Sequence, residues 1–201
     1  PVHRDRQRVS GDSPVRPAAE RVAMLRVLPG PALAPTLASS HANDPVDDFL
    51  ASARESIANG RVPQRILNDE RLHERELERV FGRCWVYVGH ESEIPEPGDY
   101  ARRYVGSDPF IFVRSEVGDI EVLFDSCRHR GTTVCRADQG NASHFRCPYH
   151  GWTYDNSGDL VGLPHKDACY RDIDTEEWGL LSAPQVTNYE GFVFASLDPD
   201  A

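Results

Sequence analysis

At 201 residues the chain is long enough for one or two small domains with a real core. Its net charge of −10 argues against a nucleic-acid partner, which needs a basic face. No run approaches the roughly 18 apolar residues of a membrane span, and no basic flank leads into an apolar signal segment, so a reduced, cytoplasmic setting is expected.

Residues 1–43 stand apart. Seven of the fifteen prolines fall within the first 45 residues, among scattered Arg, Ala and Ser without a sustained period. Such a stretch cannot bury enough apolar surface to offset chain entropy and is expected to be a disordered extension. From Asp44 the pattern becomes orderly. Asp44 can cap a helix with Pro45 at its first position, Val46, Leu50, Ala53 and Ile57 on one face, and Gly60 as its stop. A second helix is expected from Asn68 to Gly82, with Leu72, Leu77, Val80 and Phe81 inward. Residues 44–82 therefore form a helical segment.

From 83 onwards the residues favour strands. Trp85–Val88, Tyr104-Val105, Phe110–Val113 and Ile120–Phe124 are short and β-rich, with Gly118-Asp119 and Asn156–Asp159 as turns. Phe192–Phe194 is also strand-like. The fold class expected is mainly β, a small antiparallel sandwich or barrel over 83–201 preceded by two helices.

Two short loops in this region carry the chemistry. The first holds Cys127-Arg128-His129, the second Cys147-Pro148-Tyr149-His150, with seventeen residues between His129 and Cys147. Each supplies one soft thiolate and one imidazole. Zinc fingers commonly group both Cys in one knuckle and both His downstream. Mixed pairs suit two facing loops in which two Cys hold one iron and two His hold the other, the ligand set of a Rieske 2Fe–2S centre. Gly131 and Gly151 follow the loops and are expected to turn the backbone and offer N–H groups to cluster sulfurs. Trp152 and Tyr149 are expected to shield the site. A structural zinc site is the alternative.

Cys127–Gly131, Cys135–Asp138, Gly140–Ala142 and Cys147–Trp152 together resemble the Rieske region of aromatic ring-hydroxylating dioxygenase α subunits. The likeness extends through Tyr154-Asp155 and Leu160–Pro164, and to Gly89–Pro95 before the loops and Tyr189–Phe194 after them. It implies a Rieske domain with its cluster at the tip of two hairpin loops, Cys127 and Cys147 on one iron and His129 and His150 on the other. It further implies NAD(P)H-derived electrons delivered by a ferredoxin or reductase, and a mononuclear non-haem Fe(II) that dihydroxylates an aromatic hydrocarbon with O₂. Assembly as a trimer of α, with β subunits, is implied too. That second iron needs two His and a carboxylate. Only His165 follows His150, so its domain is expected to be missing and the chain to be a fragment. A Rieske monooxygenase or demethylase and a stand-alone Rieske ferredoxin are the alternatives. Cys84 and Cys169 are expected to be free, buried thiols, Cys135 to have no mate, and Asp125 and Asp138 to be turn residues or to orient a ligand His.

Overall fold

The computed structural model describes residues 45–201, so the expected disorder of 1–43 and the Asp44 cap lie outside the described residues. Helix α1, Pro45–Ala58, buries Val46 and Ala53. Helix α2, Glu70–Glu76, is capped by the Asp69 carboxylate, which accepts from the Leu72 amide, and runs on into a single π turn, Leu77–Phe81. An ion pair of 2.5 Å between Arg75 and Asp47 ties the two helices. Two expected inward residues, Ile57 and Val80, are about half exposed, at 50% and 45%. For Val80 the reason is the π turn: one extra residue per turn rotates the following side chains off the apolar stripe.

Ten strands follow: β1 Val86–His90, β2 Asp99–Val105, β3 Asp108–Arg114, β4 Ile120–Phe124, β5 Gln139–Asn141, β6 His144–Arg146, β7 Thr153–Asp155, β8 Leu160–Gly162, β9 Gln185–Tyr189 and β10 Phe192–Ser196. They form three antiparallel sheets, β1-β10-β9, β4-β3-β2-β5 and β6-β7-β8. The four-stranded sheet is the middle layer. Phe110 and Phe112 of β3 and Val122 of β4 pack with Val88, Val193 and Ala195 of the first sheet. Ile111, Val113 and Leu123 turn the other way, onto Phe145, Tyr154 and Leu160 of the third. A strand buried on both faces reads as a continuous apolar run, which is why Phe110–Val113 shows no alternation. Burying each such side chain stabilises by about 1.5–3 kcal/mol. The mainly-β architecture with helices in front is as expected.

Candidate metal centre

The two ligand loops sit where the middle and third sheets meet. The second is a hairpin tip, since Arg146 of β6 pairs with Thr153 of β7. The first is not. It links β4 to β5, and β5 pairs with β2 on the far side of the sheet. The expectation of two hairpins is corrected accordingly.

Both loops nevertheless share one backbone frame. Cys127 donates its N–H to the Thr132 carbonyl at 2.8 Å and accepts from Gly131 N–H at 2.8 Å. Cys147 donates to Trp152 at 2.8 Å and accepts from Gly151 at 3.0 Å. In each, a glycine four residues after the Cys adopts a left-handed φ, +75° and +77°. The glycine amides are thus engaged by the Cys carbonyls, not offered to cluster sulfurs as expected.

The frames face each other with like residues adjacent. The buried Cys127 thiol lies against Cys147, and the His129 and His150 rings are 4.6 Å apart between centroids. Burial pushes the Cys127 thiol up, a hydrogen bond with Tyr154 opposes this, and the neighbouring Cys147 adds to the rise. The His129 imidazole is held below its ordinary value, first by burial and then by His150 and Arg130. Trp152 is buried and stacks on His129 at 5.0 Å with ring planes 5° apart. Tyr149 stacks on His150 at 3.8 Å but is 60% exposed, so it covers a ring rather than sealing the site. The Cys end is therefore buried and the His end, with His150 exposed, opens to the surface.

Several further side chains shape the site or its surroundings. The Tyr154 hydroxyl is 3.3 Å from Cys127 Sγ and accepts from the Arg128 amide at 3.1 Å. Its burial, and then Cys127, push the phenol upward, so it stays protonated and can donate to sulfur. Tyr170 and Trp178 set their edges against Trp152, at 5.7 and 5.8 Å. Asp125 is fully buried, so it is not a turn residue at the surface. Its partners are the Val134 and Cys135 amides and Arg102, rather than a His. His90 caps the turn at Glu91–Glu93 through its ring, as a structural residue should. Cys84 and Cys169 are free but exposed, contrary to expectation, because neither joins the two hydrophobic cores; Cys135 is buried and free.

The donors around the loops bear directly on a 2Fe–2S group. Three buried polar atoms around the loops lack hydrogen-bond partners: His129 Nδ1, Trp152 Nε1 and Arg128 Nε. A buried imidazole nitrogen is not normally left orphaned, and a metal bond satisfies it. Among the described residues, no three His, Cys, Asp or Glu side chains converge on one ion position. Paired thiols beside paired imidazoles suit two linked irons better than one tetrahedral ion. The residues fit the group.

Residues 84–189 match the Rieske [2Fe-2S] domain family. The chain belongs to that family. The chain is 47% identical over 153 residues to the N,N-dimethyl phenylurea N-demethylase subunit alpha of Sphingobium sp. (strain YBL2), covering 76% of this chain and 33% of that protein. It is 49% identical over 142 residues to the biphenyl 2,3-dioxygenase subunit alpha of Rhodococcus jostii (strain RHA1), covering 71% and 31%. Among solved structures, naphthalene 1,2-dioxygenase from Rhodococcus sp. superposes with a TM-score of 0.73 at 47% identity, over 79% of this chain and 37% of that one. The chain thus spans about a third of the length of the curated relatives it matches. No helix among the described residues is long and apolar enough to cross a membrane.

Proposed function

We propose that the chain is the electron-transfer part of an aromatic ring-hydroxylating dioxygenase α subunit. Cys127 and Cys147 hold one iron of a 2Fe–2S cluster, and His129 and His150 hold the other. The observation that carries this is the pairing of like ligands, thiol against thiol and imidazole against imidazole, in two loops of one backbone frame. When bound, the cluster accepts and gives one electron. The protein's part is to bury the thiol side, so that solvent does not reach it, and to present the imidazole side to partners. Trp152 fixes the His129 ring by stacking, and Tyr154 offers its O–H to the Cys127 sulfur.

In the intact enzyme, electrons from NAD(P)H arrive through a ferredoxin or reductase. The portion of the relatives that this chain does not cover would hold a mononuclear non-haem iron, which would receive them and supply the chemistry for dihydroxylating an aromatic hydrocarbon with O₂. Contacts with β subunits and with other α subunits, and a cytoplasmic location, belong to the same proposal, as does a division into a helical segment at 44–82 and a Rieske domain from 83. A monooxygenase or demethylase outcome is the second reading, favoured by the 47% identity to a demethylase subunit.

The test is iron, sulfide and zinc per chain, with an EPR spectrum of the dithionite-reduced protein. Two irons and two sulfides with a Rieske-type spectrum are expected. Zinc without sulfide would overturn the cluster, and with it the oxygenase reading.

A further inference from the structure

Behind the first ligand loop lies a charged pair that the electron-transfer reading does not use. Asp125, the residue after β4 and two residues before Cys127, is wholly buried. Its Oδ1 accepts from the Val134 amide at 2.7 Å and the Cys135 amide at 2.9 Å, closing the loop that carries Cys127 and His129 into a ring. Its Oδ2 faces Arg102 Nε of β2 at 3.2 Å. That approach is an ion pair without hydrogen-bond alignment, since both atoms otherwise lack hydrogen-bond partners. Arg102 also donates its amide to the Asp138 carbonyl at 2.8 Å, so backbone and side chain of one residue hold both ends of the 125–138 segment. The Arg102 guanidinium reaches out towards the Tyr104 hydroxyl, and its side chain is 21% exposed. The pair is therefore asymmetric, with one charge fully buried and the other touching water.

The geometry points to Arg102 and Asp125 as positioning residues for the first ligand loop, and as two opposed charges that set the cluster's reduction potential from behind. This rests on the assignment of Cys127 and His129 as ligands. A loop closed at Val134 and Cys135 by a carboxylate, rather than by a sheet partner, needs that carboxylate held in place. Two N–H donors and a guanidinium supply this. Asp125 lies two residues from Cys127, within about 7 Å along the chain. In a buried setting a unit charge at such a distance is felt strongly. In balance the two charges nearly cancel at the cluster. Unbalanced, each moves the potential in its own direction, because reduction adds negative charge.

The experiment uses the full chain carrying its cluster, in four forms: wild type, Asp125→Asn, Arg102→Gln and the double variant. Each is read by iron and sulfide content, EPR and a redox titration. Asn keeps an oxygen for the two amides but leaves Arg102 uncompensated, so Asp125→Asn should shift the potential up. Arg102→Gln leaves the carboxylate uncompensated and should shift it down, by less, because the partly exposed guanidinium that it removes is the more screened of the two charges. The double variant should return close to wild type, with a larger fraction of cluster lost on dilution because the loop is less well held. Shifts of the same sign in both single variants, or unchanged potentials, would overturn the proposal. So would a double variant that cannot hold the cluster at all, which would make the pair a packing requirement only. Wild-type protein without a Rieske spectrum would instead refute the ligand assignment, so the two failures are distinguishable.

Discussion

One hydroxyl decides how the thiol end of the site behaves. Tyr154 is buried, protonated and 3.3 Å from Cys127 Sγ. A donor to a ligand sulfur favours the more negative, reduced cluster. Tyr154→Phe removes that donor with little change of volume. If the bond contributes about 1 kcal/mol, the net worth of one hydrogen bond, the potential falls by roughly 40 mV for a one-electron couple. Redox titration of the loaded variant checks this, and an unchanged potential would mean that the hydroxyl serves the Arg128 amide alone. The proposed ligands Cys127, His129, Cys147 and His150 are legible in the sequence, because spacing and ligand type mark them as candidates. Tyr154 and Arg102 are not legible in that way. Their roles come from residues 27 and 23 positions distant, and no local pattern encodes such a meeting.

Among the elements, the two glycines of the loop frames make a matched pair of probes. At both, an L side chain meets the cost of a left-handed conformation, about 1–2 kcal/mol. A Cβ at Gly131 would come no nearer than 3.7 Å to Ser126 Oγ, whereas one at Gly151 would meet Pro164 at 3.1 Å and the Arg146 guanidinium at 3.2 Å. Gly151→Ala should therefore lower the melting temperature more than Gly131→Ala, which should cost about 2–4 °C per kcal/mol in a chain of this size. Equal losses would show that the second loop yields at no cost. The β2–β5 edge offers a pH probe. The Asn141 amide, then the Glu96 N–H, holds the Asp99 carboxyl below its ordinary value of 3.8. A lowered folded value means that its contribution is complete above the unfolded value and disappears as pH falls through the folded one. Asp99→Asn should thus lower the melting temperature at neutral pH, converge with wild type in acid, and so flatten the limb below about 4. An unaltered limb would place the acid sensitivity elsewhere. Strands β3 and β4 are readable from their apolar runs. Strand β5, Gln139–Asn141, is exposed throughout and three residues long. It exists because Asp99, Tyr100 and Ala101 pair with it, so only the tertiary fold specifies it.

For the molecule as a whole, the middle sheet is the structural constant and the cluster region its dependent. The β3 and β4 side chains alternate between two cores, and the core beneath the third sheet includes the proposed ligands Cys127 and Cys147 themselves. A group bonded to both thiols cross-links that core and stabilises the folded state by mass action. Removing it with a chelator under reducing conditions should lower the melting temperature. Hydrogen exchange should rise at 125–165, while β3 and β4 stay protected by the apolar layer on their other face. Uniform loss of protection would mean that the two cores are one cooperative unit.

The shared frame of the two ligand loops sets what kinds of change this site can absorb. Cysteine and glycine stand four apart in both, while the histidine occupies the second step in one loop and the third in the other. Spacing is fixed at the ends and free between them. Exchange of the intervening side chains leaves the closing hydrogen bonds untouched, whereas gain or loss of a single residue moves the glycine off its left-handed position and opens the loop. Such a site can drift in composition but not in length.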